Sequence, residues 1–380
     1  MQITKFAIPE IIFGNGSIKY LAPCAHRLGA KRVFLVSDVG LETSGWVERI
    51  RSILEADGLE CIIFSELTAN PRDWQVHKGA KAYEECGADV IIGLGGGSPI
   101  DAAKGIATIV GNGGRIRDYE GANRIMRPLP PMIFIPSTAG SGSDVSQYAI
   151  ITDTDRQVKM SIISRSLVPN ISIIDPDLLV TKTRELIVSS AVDALSHAIE
   201  SYVSRLASPF TETQALNAIG LIATNLRAAA DDKDTEALKN LSIASTAAGM
   251  SFSNAGLGIG HALAHSLGGR YDVVHGMVHP MLLPPIMRFN IPSCTEKMAT
   301  IAQTINGVRL ASAKSLAEQG CATLEHMFAE LRIPVRLRDI VPDESRLEQI
   351  CRIAVQDACA VTNPRQATWR DLYEICGEAW

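Results

Sequence analysis

The stretch DVIIGLGGGSPIDAAKGIA, residues 89–107, runs from an apolar β-branched segment through three glycines (Gly95, Gly96, Gly97) into Ser98, Pro99 and an alanine-rich helical pattern. This order predicts a strand that turns sharply into a helix. Ser98 suits the helix cap and Pro99 the first helical position, while Asp101 stands three residues after the cap, where a capping box carries Glu or Gln. Glycines remove side chains where a phosphate must approach the backbone, and the unpaired amides of a helix start bind anions. Pyrophosphate is a natural guest of such a turn, although a strand-to-helix turn without a ligand can carry the same glycines.

Outward from this stretch the pattern repeats. RVFLVSD (32–38), CIIFSEL (61–67) and MIFIPST (132–138) are further short β-rich runs. Between them lie amphipathic segments such as WVERIRSILEADG (46–58) and WQVHKGAKAYEECG (74–87), each closing on a glycine that suits a helix C-terminus. Strands alternating with helices predict a parallel sheet covered by helices. YAIITDTDRQVKMSIIS (148–164) predicts a hairpin turning at residues 153–156, and ISIIDPDLL (171–179) a last strand. Beyond about Thr183 the apolar residues recur at helical spacing only, in RELIVSSAVDALSHAIESYVSRL, TETQALNAIGLIATNLRAAA, AKSLAEQGCATLEHMFAEL and DESRLEQICRIAVQDA. The expected organisation is an α/β dinucleotide-binding domain over residues 1–180 and an all-helical domain over 181–380, with the break within 175–183 and a ligand cleft between the two domains. No internal repeat or low-complexity tract interrupts this plan.

A dinucleotide fingerprint ordinarily places an acidic residue about 20 positions after the glycines, at the end of the next strand. Here the best such residue, Asp38, precedes them, so if both serve one dinucleotide the strand order must differ from the common Rossmann arrangement. A carboxylate there accepts hydrogen bonds from an adenosine ribose and repels a 2′-phosphate, favouring NAD over NADP. An aspartate at this place suits a helix cap equally well. PSTAGSGSD (136–144) is a second small-residue segment after a strand, fit for ribose, phosphate or nicotinamide contacts and also for an ordinary loop.

Composition narrows the function. Of 380 residues 46% are hydrophobic and 20% charged, which is ordinary for a globular chain and enough for two cores. A net charge of −5, with no Lys/Arg block interleaved with aromatics, argues against nucleic acid. No signal peptide is expected from MQITKFAIPEIIFGNGSIKY, and no run reaches the roughly 20 apolar residues of a spanning helix. The eight cysteines form no Cys-x-x-Cys pair, and free buried thiols in a reducing cytoplasm are the expectation.

Histidine usage points to a metal. In AVDALSHAIESY, Asp193 and His197 are four apart on a helical pattern and project from one face. Half of the eight histidines, His261, His265, His275 and His279, lie in GIGHALAHSLGGRYDVVHGMVHP. Imidazole needs polar partners when buried, so packing alone does not explain such concentration. One oxygen and several imidazole nitrogens suit Fe(II), Zn(II), Mn(II) or Co(II), not Ca(II) or Mg(II). Spacing does not choose among the histidines, because His261 and His265 form an i, i+4 pair of their own.

Together these motifs identify the chain as similar to the iron-containing (group III) alcohol dehydrogenase family. The resemblance runs from FGNGSIKYL through ANPR, GGGSPIDAAK, PSTAGSGSD, VDALSHAIESYVS and NAGLGIGHALAHSLGG to TNPRQATWRDLYEI. It implies an atypical Rossmann-like α/β domain followed by a helical metal-binding domain, the fold also used by dehydroquinate synthase. It further implies that Asp193, His197, His261 and His275 ligate the metal, most often Fe(II) with Zn(II) as the alternative. His265 is then placed near substrate and nicotinamide as the catalytic proton relay. Asp38, Asn70, Gly96, Gly97, Ser98, Thr138 and Lys159 are implied to line an NAD site.

The chain departs from the family pattern in PSTAGSGSD, in SSAVDAL and at Val274, where Pro often precedes the ligand histidine; no ligand is lost. The expected activity is metal-dependent, NAD(P)-linked alcohol dehydrogenation or aldehyde reduction on small alcohols, diols or aldehydes, with Phe252, Asn254 and Leu257 making the pocket partly apolar. A cytoplasmic homodimer or larger homo-oligomer is implied. The alternatives are a dehydroquinate synthase-like lyase, which needs a Lys/Arg cluster not evident beside the histidines, and a metal-binding protein without catalysis.

Overall fold

The computed structural model describes residues 5–273, 275–307, 311–333 and 336–380. One compact unit is Ala7–Lys182; the other is Thr183–Trp380 with the N-terminal residues up to Phe6.

The first unit contains strands β1 (Glu10–Phe13), β2 (Arg32–Val36), β3 (Glu60–Phe64), β4 (Val90–Gly95), β5 (Gly121–Ala122), β6 (Met132–Pro136), β7 (Tyr148–Asp153), β8 (Val158–Ile163) and β9 (Ile171–Ile174). Its helices are α1 (Leu21–Arg27), α2 (Val39–Thr43), α3 (Trp46–Ala56), α4 (Asp73–Cys86) and α5 (Gly97–Asn112). Six strands form one parallel sheet in the order β1-β9-β6-β4-β2-β3. Strand alternation sends Val33, Leu35, Val90, Ile92 and Leu94 into a core with α1 and α3. Phe34, Val36, Ile91 and Phe134 go to a second core with α4 and α5. Burial on both faces explains why these strands are continuously apolar.

Two elements were not legible in advance. β1 is a four-residue edge strand against β9, and β5 is a two-residue pairing with β8. The hairpin β7–β8 turns at residues 154–157 rather than 153–156, because Asp153 still pairs with Val158.

The strand order settles where Asp38 can act. β2 lies directly beside β4 in register Val36↔Gly93, so Asp38 and Gly95, each two residues further on, leave the sheet at the same carboxyl edge. The strand that brings the acid is second in the chain and the strand that brings the glycines is fourth, whereas the common Rossmann order has the glycine strand first.

The turn itself corrects the expected cap. Gly96, not Ser98, is the N-cap of α5, Gly97 is its first residue, and no side chain caps it. Gly95 has φ +154°, and a Cβ there would stand 2.5 Å from Pro99, so only glycine fits. Ser98 instead accepts the Asn70 amide at 3.2 Å. Asp101 is buried and serves the following loop, accepting from the Ser143 hydroxyl and, at 3.1 Å, from the Ile150 amide.

The second unit is helical, with no strand among its described residues: α6 (Arg184–Val203), α7 (Pro209–Arg227), α8 (Thr235–Ala255), α9 (Ile259–Tyr271), α10 (His275–Asn306, bent at Cys294), α11 (Ala313–Glu330), α12 (Leu347–Ala354) and α13 (Trp369–Ala379). α6 is its central helix, buried almost all round from Ile187 to Val203. A helix enclosed in this way should be apolar on every side. The buried Asp193, His197 and Glu200 on α6 therefore need a purpose, and at i, i+4 and i+7 they share one face.

Candidate metal centre

Three helices of the second unit each carry an i, i+4 pair: Asp193 and His197 on α6, His261 and His265 on α9, His275 and His279 on the first turns of α10. Gly276 brings α10 close, since a Cβ there would strike the Ser189 carbonyl of α6. Asp193 Oδ1 becomes a focus of nitrogens. The Nε2 of His279 lies 3.2 Å away, that of His275 3.7 Å, that of His261 3.8 Å and that of His197 4.0 Å. The ligand atoms of Asp193, His261, His275 and His279 all lie within 4.8 Å of one another.

No hydrogen bond of acceptable geometry satisfies Asp193 Oδ1, His261 Nε2 or His197 Nδ1, although all three atoms are buried. Leaving such a group unsatisfied costs about 1–3 kcal/mol. Ligands bound at about 2.0–2.2 Å to one tetrahedral ion stand about 3.3–3.6 Å apart. The observed spacings of 3.2–4.0 Å bracket that range, three of them too long for a hydrogen bond, and with the orphaned atoms they fit a shared cation better than a hydrogen-bonded cluster.

Electrostatics agree. Burial alone would raise Asp193, yet His197, His261, His279 and His275 hold its carboxyl well below the ordinary value. Burial pulls His197 down to about 3 and also lowers His279, which favours the neutral ring that a metal ligand requires. Burial opposes charge on His261 too, but the neighbouring Glu200 and Asp193 carboxylates outweigh it and push that ring up to about 9. The pocket favours positive charge at the His261–Asp193 pair.

Of the residues singled out in the sequence, Asp193, His261 and His275 are brought together, with His197 at the margin of the cluster. His279, which is not among the ligands the family resemblance implies, stands closest to Asp193. His265 is turned elsewhere: its Nδ1 lies 3.0 Å from Asp357 Oδ2, while its ring stacks on His275 with centroids 5.4 Å apart. Asp357 was missed because it comes from a distant segment, at the cap of the turn Ala358–Thr362. Of the pocket candidates, Phe252 stacks on His197 at 4.4 Å and is buried, as is Leu257; Asn254 donates to the Met250 carbonyl at 2.9 Å. Val274 lies outside the described residues.

In the first unit, hydrogen bonds link three of the expected dinucleotide residues, Asn70, Ser98 and Lys159. Lys159 Nζ donates to Asn70 Oδ1 at 2.7 Å, and the Asn70 amide donates to Ser98 Oγ. Asn70 holds φ +59°, which asparagine tolerates. Thr138 stands over Gly96, where a Cβ would come 3.3 Å from its hydroxyl. Asp38 caps α2 by accepting the Leu41 amide at 2.9 Å, so the capping role is real.

A buried oxygen-and-imidazole donor cluster in a helical unit, and a glycine turn of the dinucleotide type in an α/β unit, are the parts of a metal-dependent dehydrogenase. Residues 9–176 match the model of the iron-containing alcohol dehydrogenases, and residues 187–380 match that of the Fe-containing alcohol dehydrogenase family, C-terminal. The chain is 36% identical over 380 residues to an NAD-dependent methanol dehydrogenase of Bacillus methanolicus, covering 99% of this chain and 100% of that one. It is 35% identical over 384 residues to a 1,3-propanediol dehydrogenase of Klebsiella pneumoniae, covering 100% and 99%. The crystal structure of a 1,3-propanediol oxidoreductase superposes with a TM-score of 0.97 at 34% identity, over 100% of both chains. The chain belongs to the iron-containing alcohol dehydrogenase family. No helix among the described residues is long and apolar enough to cross a membrane. All eight cysteines are free, five of them buried, whereas Cys61, Cys86 and Cys294 are only half-buried.

Proposed function

We propose that this chain interconverts small alcohols or diols and their aldehydes, using NAD and one divalent ion, Fe(II) by preference. The observation that carries the reading is the convergence of four imidazole nitrogens on the buried, unsatisfied Asp193 Oδ1. The donors fit Fe(II) or Zn(II), and the likeness to dehydrogenases of methanol and 1,3-propanediol supports short substrates. When bound, such an ion supplies Lewis acidity towards an alcohol or carbonyl oxygen, and NAD accepts or supplies hydride.

Asp193, His197, His261 and His275 hold the ion in this reading. His265 exchanges a proton with substrate or solvent at Nε2, because Asp357 accepts the proton on Nδ1. The amides of Gly96, Gly97 and Ser98 face the pyrophosphate, while Asn70, Thr138 and Lys159 order the rest of the dinucleotide. The free thiols support a reducing cytoplasm, and a homodimer or larger homo-oligomer is the proposed assembly. Turnover of NADH with a panel of short aldehydes and Fe(II) tests the reading; no turnover on any of them would overturn it.

His197 and His279 compete for the fourth ligand position. We expect His197→Ala to weaken Zn(II) binding by more than about 100-fold and His279→Ala by no more than the about 10–100-fold by which a ligand's supporting neighbours act. Competition with a chromogenic chelator measures both, and the reverse order would give the position to His279.

Cofactor choice isolates Asp38. Glycine is a tolerated helix cap, so Asp38→Gly should cost only a few tenths of a kcal/mol of stability. It should nevertheless lower the NADH-to-NADPH ratio of kcat/KM at least about tenfold, by removing the repulsion of a 2′-phosphate. Equal kcat/KM with both cofactors in the unmodified protein would contradict this role.

A further inference from the structure

Glu200 is buried on α6, one turn beyond His197, and is not among the residues assigned to hold the ion. Its carboxylate accepts the amide of Gly260 at 2.6 Å, that of Gly258 at 3.0 Å and that of His261 at 3.4 Å. Its Oε2 also stands 2.6 Å from His261 Nδ1. The segment Gly-Ile-Gly before His261 resembles a phosphate-binding turn by its letters, but the space is already taken. A Cβ on Gly258 would stand 2.9 Å, and one on Gly260 2.6 Å, from Glu200 Oε1. From the other side Asn363 Oδ1 accepts the Ile259 amide at 3.4 Å and would lie 2.8 Å from a Cβ on Gly258. The glycines thus form a cradle for a carboxylate of the chain itself.

The consequence falls on His261. Imidazole ligates through one nitrogen, and the partner of the other decides which one is free. An ionised carboxylate only accepts hydrogen bonds, so Nδ1 must keep its proton, and it is Nε2 that gives up a proton to a cation and presents its lone pair. That Nε2 is the buried, unsatisfied atom 3.8 Å from Asp193 Oδ1. We propose that Glu200 is the positioning residue of the metal centre: it fixes the tautomer and ring orientation of His261, and Gly258 and Gly260 are glycines to admit its carboxylate. The proposal rests on His261 being a metal ligand.

Glu200→Gln preserves size and removes the acceptor-only character. Its amide must turn an NH2 either towards His261 Nδ1 and the Gly258 amide, which drives the imidazole proton to Nε2, or towards the Gly260 amide, which sets donor against donor and disrupts the cradle. Zn(II) affinity, read by chelator competition on apoprotein whose fold is checked by circular dichroism, should fall about 10–100-fold. The ligand-field spectrum of the Co(II)-loaded variant should change with it. Gly260→Ala, which displaces the carboxylate without removing it, should shift affinity in the same direction and decides the matter if Glu200→Gln does not fold. Zn(II) binding within threefold of the unmodified protein in the folded variant overturns the proposal. His261→Ala, measured in parallel, separates the two readings. If it keeps full affinity, the ligand assignment fails; if it loses Zn(II) while Glu200→Gln keeps it, only the role of Glu200 fails.

Discussion

Replacing His261 by alanine should leave a protein that retains less than about a tenth of an equivalent of metal and turns over at least about a thousandfold more slowly. The magnitude follows from what is lost. A thousandfold is about 4 kcal/mol of transition-state stabilisation, within the several kcal/mol that a Lewis acid supplies at a developing oxygen charge. His261 is the most committed of the histidines: its Nε2 is orphaned, its Nδ1 is held 2.6 Å from Glu200, and both flanking carboxylates favour positive charge there. Alanine also strands the buried Glu200 carboxylate without its imidazole partner, so the apoprotein should melt at a lower temperature than unmodified apoprotein. Metal content by mass spectrometry and steady-state rates read the two effects separately. Full metal content in the variant would remove His261 from the ligand set.

His265→Ala should behave differently, although His265 lies only one turn further along α9. Its Nδ1 engages Asp357 and its ring stacks on His275, so it touches the cluster without pointing a nitrogen at Asp193. The expected result is near-stoichiometric metal with kcat reduced about 10²–10⁴-fold, the usual worth of a positioned proton carrier. The loss should fall on kcat more than on the KM for NADH, since none of the residues proposed to bind the dinucleotide is disturbed. Loss of metal from this variant would mean that His265 is a ligand and that its role as proton relay is wrong.

Much of this architecture could be read beforehand, and the exceptions have physical causes. β2, β3, β4 and β6 were visible because a parallel sheet covered on both faces makes continuous apolar runs. β1 was not, because four residues at an edge carry too little pattern to separate from a loop. The cap of α5 moved from Ser98 to Gly96 because the Ser98 hydroxyl bonds Asn70, a partner 28 residues away that no local rule reveals.

The metal cluster was legible as a concentration of histidine but not as a list of ligands. Three i, i+4 pairs on three helices are equivalent by spacing, and only their packing shows that His261 faces Asp193 while His265 faces Asp357. Nor does spacing separate His279 from His275, and the resemblance names only His275. A signal for Glu200 did exist in the sequence: a carboxylate seven residues after Asp193 on a helical pattern lies on the same face as the metal pair.

One measurement bears on the central claim most directly. The protein is stripped with a chelator and Fe(II) is returned anaerobically in known increments, while the NADH-dependent reduction of a short aldehyde is followed at 340 nm. The expected result is negligible rate without metal and a linear recovery that saturates at one equivalent of Fe(II) per chain, with no recovery in Asp193→Ala. Full turnover by the stripped protein, or the same saturable recovery in Asp193→Ala, would contradict it.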